Sequence, residues 1–312
     1  YRRILTGSPV TKSPLDLFTQ CEFLEHQSLK QSSFWTFQNR YAKMVRRTMG
    51  AHSFNQITGY QNLEELNDLL EPFSYRVRKE DCLDLPDKVY TRRLVELTPE
   101  QKKLYDQMKR TAIAVIEGEG IVSAPTVLTQ LLRLQQVCSG FAKLEDDRVI
   151  EVPSNKLNEL MSVLEETSGK VIIWGNFTHD LHIIEKALKK QYGEESIELF
   201  YGATPGEERQ LIVERFQDPD SPLRFFVGQP RTGGYGLTLT EAHTVIYYSN
   251  GYDLEVRLQS EDRAHRIGQT NKVTYIDIIA ESTVDEKVIQ ALRDKINIST
   301  QVLAEGYKEW II

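Results

Sequence analysis

Residues 170–201 read KVIIWGNFTHDLHIIEKALKKQYGEESIELFY. Two short runs of β-branched and aromatic residues, 171–174 and 197–201, flank a segment in which Leu181, Ile184 and Leu188 recur at helical spacing. Strand, helix and strand in one short stretch predict a parallel βαβ crossover. The pattern continues downstream. Further strands are expected at 224–227, 244–248 and 273–279, with Leu211, Ile212 and Phe216 on a helix between the strands at 197–201 and 224–227. A last helix opens at Thr283-Val284-Asp285-Glu286, which reads as a capping box. The predicted fold class is α/β: an open, doubly wound parallel sheet from about Ser154 on, with ligands at the carboxyl ends of its strands.

Upstream of that sheet the character changes. Thr98-Pro99-Glu100-Gln101 reads as an N-cap, a Pro at the first helical position and a capping Gln. Leu104, Met108 and Ala112 follow at helical spacing until Gly118-Glu119-Gly120, and a second helix is expected over 126–137. The first stretch opens with a strand-like apolar piece ending in Leu5-Thr6-Gly7-Ser8-Pro9. Helical material is expected over 15–24 and 34–44, then a basic extended piece at 75–79. Three parts result: 1–98, 99–152 and 153–312.

The chain has 312 residues, 40% hydrophobic and 27% charged, which suits a soluble globular protein of two compact domains. No run approaches the ~18 apolar residues of a membrane span, so no membrane partner is expected. The three cysteines, Cys21, Cys82 and Cys138, form no metal or disulfide pattern and fit a reducing, intracellular setting. The net charge of −7 argues against coating nucleic acid by bulk charge but leaves room for a local basic groove. Arg2, Arg3, Lys12, Lys30, Arg40, Lys43, Arg46 and Arg47 crowd the first fifty residues, and solvated helix faces account for most of them equally well. The start at Tyr1, with neither a Met nor a signal peptide, suggests a piece of a longer chain.

Three features carry chemistry. In QSEDRAHRIGQ (residues 259–269), Arg263 and Arg266 are three apart and share a face if helical. Gln259 and Gln269 lie at neighbouring spacings. Such a face can grip a polyanion through charge-assisted hydrogen bonds, but Glu261 and Asp262 alongside also permit plain surface ion pairs. Residues 231–240, RTGGYGLTLT, form a Gly-rich loop after a strand, where backbone N–H groups can approach phosphate. The loop lacks the Gly-Lys-Ser/Thr of an ATP P-loop, and a tight turn explains it as well. Tyr201-Gly202-Ala203-Thr204-Pro205 follows a strand, with Thr204 as a candidate helix cap and Arg209 beyond it. All three adjoin one sheet, which suggests a single phosphate-lined edge.

The sequence resembles the Swi/Snf-type ATP-dependent DNA translocases of the second helicase superfamily. Residues 259–269 differ by one small substitution from that family's sixth motif, Gln-Ala-x-Asp-Arg-Ala-His-Arg-Ile-Gly-Gln. Residues 231–240 look like the fifth motif, with Thr238 where Asn is usual. Lys170-Val-Ile-Ile-Trp-Gly-Asn-Phe177 looks like the fourth, and Leu5-Thr6-Gly7-Ser8-Pro9 like the third. Tyr201-Gly-Ala-Thr with Glu207-Glu208-Arg209-Gln210 resembles the segment after the fourth motif. Arg76-Val-Arg78-Lys79, Leu85-Pro86-Asp87-Lys88 and Leu97-Thr98-x-x-Gln101-x-x-x-Tyr105 resemble the connecting region. The resemblance implies a RecA-like second motor lobe (153–312), its helical protrusion (99–152), and the tail of lobe one with its own protrusion and linker (1–98).

The resemblance further implies ATP with Mg²⁺ as substrate and metal, the metal held mainly by the part of lobe one upstream of this chain. Arg263 and Arg266 would reach the γ-phosphate, Gln259 would couple nucleotide state to DNA, and Gly234 and Gly236 would lie at the nucleotide. Asn176, Gly202, Thr204, Arg209, Arg231, Gly233, Thr238 and Tyr252 would meet double-stranded DNA; Tyr252 sits where the family often has Trp. Partners expected are duplex DNA and the N-terminal RecA-like lobe. No Gly-Lys-Ser/Thr or Asp-Glu-x-His sequence occurs, so this chain alone is not expected to hydrolyse ATP. Two other readings stay open: a non-catalytic binding module and a strand-separating helicase. The short protrusions lean toward a prokaryotic or viral setting.

Overall fold

The computed structural model describes residues 1–49, 52–77, 82–118, 124–143, 148–233 and 236–303. The chain forms two compact units, one of residues 1–82 with 253–255 and the outer part of the last helix, the other of residues 83–252 and 256–289.

The first unit contains α1 (Asp16–Leu24), α2 (Phe34–Tyr41), an antiparallel hairpin of β1 (Ala42–Met49) and β2 (His52–Tyr60), and α3 (Leu63–Leu70). Leu17, Cys21, Leu29, Phe37, Tyr41, Leu66 and Leu70 make its core. Ser33 and Thr36 form a reciprocal cap on α2. The helix expected over 34–44 stops at Tyr41, where Ala42 is already extended, and the chain continues as β1. Val45 and Thr48 on β1 are β-branched and favour a strand. Residues 1–6 have no regular structure, so the opening strand is not formed.

The second unit is built on six strands, all parallel, in the order β3 (Lys88–Val95), β10 (Val273–Ala280), β9 (Ala242–Tyr247), β6 (Lys170–Trp174), β8 (Phe225–Gly228) and β7 (Ile197–Phe200). Every residue of β6 is buried, as a central strand covered on both faces requires. Its side chains alternate between two cores. Val171 and Ile173 pack with Leu181, Ile184 and Leu188, whereas Ile172 and Trp174 pack with Phe226, Val245 and Tyr247. The crossovers are α6 (Asn155–Glu166), α7 (Thr178–Tyr192), α8 (Gly206–Gln217), the single turn α9 (Pro230–Gly233) and α10 (Leu254–Glu261); α11 (Val284–Leu303) follows the last strand. Ahead of them lie α4 (Pro99–Gly118), α5 (Ala124–Ser139) and the two-stranded β4 (Phe141–Lys143) and β5 (Val149–Glu151).

The α/β doubly wound architecture and its five sequence-expected strands are present. The sixth strand, β3, comes from ahead of residue 98, so the sheet draws on residues assigned by sequence to the first part. Thr98 caps α4 as expected: its Oγ1 accepts from the Gln101 N–H at 3.2 Å, and its own N–H donates to Gln101 Oε1 at 3.1 Å. Among the described residues no helix is long and apolar enough to cross a membrane.

Candidate functional site

At the carboxyl ends of β6, β8, β9 and β7 the connecting loops are laced together. Gly175 N–H donates to Gly228 O at 3.0 Å, Gln229 N–H to Phe200 O at 3.1 Å, and Tyr248 N–H to Trp174 O at 2.9 Å. Asn176 N–H donates to Ser249 Oγ at 2.7 Å, and Ser249 Oγ donates to Asp180 Oδ2 at 2.5 Å. Burial pushes the Asp180 carboxyl up to about 7 against the opposing pull of Ser249 and Lys156. The glycines here answer to packing. A Cβ on Gly233 would lie 2.4 Å from Trp174 Cη2, and one on Gly228 2.6 Å from Phe200 O.

Seven of the residues expected at DNA sit in the connections leaving these strand ends, Arg209 in the first turn of α8 and Arg231 and Gly233 in α9. Asn176, Arg209 and Tyr252 are half-buried, Gly202 and Arg231 exposed, Thr204 and Gly233 buried. Burial, with Asp285 adding to it, raises the Tyr252 pKa. Thr204 does not cap α8. Its Oγ1 accepts from Tyr201 N–H at 3.0 Å and donates to Leu199 O at 3.1 Å, closing the turn before the helix, and Pro205 takes the N-cap position. Arg209 braces the same turn, with Nε on Thr204 O at 3.0 Å and Nη2 on Tyr201 O at 3.3 Å.

Arg263 and Arg266 lie elsewhere. Helix α10 ends at Glu261, so the two arginines occupy the turns beyond it and do not share a helical face. They converge all the same. Arg263 Nη1 and Arg266 Nη1 both donate to the Leu237 carbonyl, at 3.3 and 3.0 Å, and Arg263 Nε donates to Gln259 O at 2.8 Å. Both side chains are half-buried, and among the described residues neither has a carboxylate within ion-pair distance. Burial lowers the Arg263 pKa; Asp262 opposes this and Arg266 adds to it. Gln269 turns inward instead. Its Nε2 donates to Thr240 O, Ala242 O and Ala264 O at 2.9 to 3.1 Å. Gly268 beside it has φ +100°, a conformation that favours glycine.

The turns 262–269 lead into the amino end of β10, and Thr240 and Ala242 stand at the amino end of β9. The single phosphate-lined edge expected from sequence is therefore two groups at opposite ends of the sheet. The segment 229–241 joins them: it leaves the carboxyl end of β8 with Arg231 and Gly233, and returns past Leu237 to the amino end of β9. Thr238 is half-buried on the return, Gly236 has φ +74°, and Gly234 lies outside the described residues.

A buried polar cluster anchors the arginine turns, and sequence reading missed it. Glu261 is fully buried. Its carboxylate accepts from Arg257 Nε at 2.8 Å, Tyr90 Oη at 2.8 Å and Lys88 Nζ at 3.2 Å. Arg257 also pairs with Asp277 at 2.6 and 3.2 Å and lies 3.4 Å from the centre of the Tyr247 ring. Burial opposes the charge on Arg257, yet Asp277, Tyr247 and Glu261 outweigh it and hold its pKa well above the usual value. His265 Nε2 contacts Pro86 O at 2.7 Å. The Arg257/Glu261 spacing of four was a visible signal; the partners on β3 and β10 were not.

Residues 155–268 match the helicase conserved C-terminal domain and residues 1–141 the SNF2-related domain. The SWI/SNF chromatin-remodeling complex subunit snf22 of Schizosaccharomyces pombe is 28% identical, covering 98% of this chain and 19% of the relative. An uncharacterized ATP-dependent helicase of Mycoplasma genitalium is 28% identical, covering 96% of this chain and 28% of the relative. The solved Sulfolobus solfataricus SWI2/SNF2 ATPase core in complex with double-stranded DNA is 27% identical with a TM-score of 0.56, covering 93% of this chain and 60% of that one. The chain spans a third or less of these curated relatives' length. The chain thus carries the SNF2-related and helicase C-terminal domains in order along it, with the parallel sheet of the solved SWI2/SNF2 ATPase cores, and the relatives it resembles along nearly its whole length are SWI/SNF-type ATP-dependent helicases.

Proposed function

We propose that this chain is the C-terminal half of a DNA-dependent ATPase that translocates on duplex DNA, supplying arginine fingers and DNA-backbone contacts. The observation that carries the reading is the convergence of Arg263 and Arg266 on the Leu237 carbonyl with no carboxylate partner among the described residues. Two adjacent guanidiniums held on one neutral acceptor are poised for an anion. Exchanging the Leu237 carbonyl for γ-phosphate oxygens gives each guanidinium an ionised acceptor in place of a neutral one. Of the two acids beside the pair, Glu261 is buried against Arg257 and Lys88, which supports this reading over a cluster of surface ion pairs.

ATP with Mg²⁺ fits the family in general terms. Among the described residues no group of three or more His, Cys, Asp or Glu could hold a metal ion, so no step here runs through the metal. In this reading Mg²⁺ is held mainly by the N-terminal RecA-like lobe of the complete protein, and this chain alone is not expected to hydrolyse ATP. Asn176, Gly202, Thr204, Arg209, Arg231, Gly233, Thr238 and Tyr252 form the DNA side. Thr204 and Arg209 act there by shaping the loop carbonyls rather than by offering their own side-chain donors. Segment 229–241 connects the DNA side to the arginine turns and gives nucleotide state a physical route to DNA. The setting proposed is intracellular.

An arginine finger contributes ~10³ to 10⁵ in rate in related phosphoryl-transfer systems. In a protein carrying both lobes, Arg266→Ala is expected to lower DNA-stimulated turnover by at least ~10³ while duplex affinity changes only a few-fold. Near-normal turnover would remove the finger assignment.

A further inference from the structure

The β1–β2 hairpin, residues 42–60, contains Lys43, Arg46, Arg47 and His52 and no Asp or Glu. Its setting is more basic than the chain as a whole. Residues 1–62 hold eight Lys and Arg against three Asp and Glu, in a protein of net charge −7. The hairpin pairs Val45 with Gln56, Arg46 with Asn55 and Arg47 with Phe54. Directly opposed residues share a face, so Val45, Arg47, Gln56 and Phe54 form one surface and Arg46 and Asn55 belong to the other. All six are exposed, including Phe54 at 51% and Val45 at 45%. Ile57, at the root, packs against the core of its unit and fixes the ribbon there.

The arginines are held without being neutralised. Arg46 Nε and Nη2 donate to Ser53 Oγ at 3.2 and 2.8 Å, and Arg47 Nε donates to Gln56 Oε1 at 3.1 Å. Neutral side chains thus orient both guanidiniums and leave their charge unpaired within the hairpin. Elsewhere in the same unit Arg40 is paired with Glu65. Exposed cations on both faces of the ribbon, with Val45 and Phe54 beside Arg47 on one of them, suit a phosphate backbone. A two-stranded ribbon also fits the major groove of a duplex.

We infer that the β1–β2 hairpin is a second duplex-DNA contact, in which Lys43, Arg46 and Arg47 engage backbone phosphates, separate from the loops at the sheet's carboxyl edge. The inference rests on the reading of the protein as a duplex-DNA translocase. Contact with phosphates predicts sequence-independent binding whose salt dependence records the number of phosphates engaged, each worth about one unit of slope in log K against log salt.

The test is fluorescence anisotropy of a labelled duplex with the 312-residue chain, titrated at several salt concentrations. The proteins are wild type, Lys43→Gln/Arg46→Gln/Arg47→Gln, and the charge-preserving Arg46→Lys/Arg47→Lys. All three cations are exposed on the hairpin, and the bonds of Arg46 and Arg47 go to the neutral Ser53 and Gln56, so the variants should fold, with circular dichroism as the check. The expected result is a slope shallower by about 3 in the triple Gln variant, a Kd at low salt raised on the order of tenfold or more, and a near wild-type slope in the Lys variant. A triple variant with unchanged slope and Kd, alongside a wild type that binds, overturns the hairpin contact and leaves the translocase reading intact. Equal loss in the Lys and Gln variants also overturns it, since phosphate contacts depend on charge. A wild type that binds no duplex sinks the translocase reading and this inference with it.

Discussion

Arg257 is the residue whose removal should do most damage to the sheet unit, and the structure ranks that damage. Its guanidinium is 3% exposed and lies between two buried carboxylates, 2.8 Å from Glu261 Oε1 and 2.6 Å from Asp277 Oδ1. Breaking a buried pair by deleting one partner costs ~3 to 5 kcal/mol, because the surviving charge stays buried. Arg257→Ala strands Asp277 with Asn250 Nδ2 as its remaining side-chain donor, and leaves Glu261 to Lys88 and Tyr90. It also removes the stacking on Tyr247. The upper end, about 5 kcal/mol, is expected. Glu261→Ala is milder: Arg257 keeps both bonds to Asp277, and Lys88, 19% exposed, retains Asp262 at 3.8 Å. About 3 kcal/mol is expected there. Urea unfolding followed by circular dichroism gives both values from the midpoints at a common slope. An Arg257→Ala cost below ~1 kcal/mol, or a larger cost for Glu261→Ala, would refute the view that this cluster anchors the arginine turns.

Other consequences are testable on the same protein. The folded Asp180 carboxyl keeps its proton to about pH 7, whereas its unperturbed value is 3.8, so the folded state carries the extra proton between them. Stability should fall as pH rises from about 4 to about 7 and then level off. Asp180→Asn should flatten that slope and gain on wild type between pH 5 and pH 8; parallel pH profiles would contradict it. Gly233→Ala places a methyl 2.4 Å from Trp174 Cη2 and should cost ~1 to 3 kcal/mol, read as a lowered Tm with altered tryptophan fluorescence. Gly202→Ala meets nothing within 4 Å, so its stability should hold within ~0.5 kcal/mol while duplex affinity drops. Unchanged affinity would take Gly202 out of the interface.

Most of the sheet was legible because its strands are buried on both faces. The runs at 170–174 and 225–228 are continuous apolar segments bounded by turns, and such runs announce themselves. Strand β3 does not. Thr91, Arg92 and Arg93 interrupt it, as suits an edge strand with an open side, and only its pairing with β10 defines it. The hairpin was hidden for a related reason: adjacent Arg46 and Arg47 break alternation, and neither face is buried along most of its length.

At the candidate site, residue types were readable but geometry was not. Arg263 and Arg266 do come together, on a shared carbonyl rather than a helical face, because α10 ends at Glu261. Thr204 was read as a cap from its place before a helix, but Pro205 lies between and the hydroxyl is spent on the turn. The Arg257 cluster depends on Tyr90, Asn250 and Asp277, which are remote in sequence, and only the three-dimensional arrangement brings them to one carboxylate and one guanidinium.

The central claim, that the arginine pair completes an ATP site at the moment of phosphoryl transfer, makes a differential-binding prediction. In a protein carrying both lobes, the affinities for a non-hydrolysable ATP analogue and for ADP–aluminium fluoride can be measured with wild type and Arg266→Ala. The account predicts that the variant binds the ATP analogue within a few-fold of wild type and loses affinity for the transition-state mimic by at least ~10². Equal changes in both affinities, or no change in either, would contradict it.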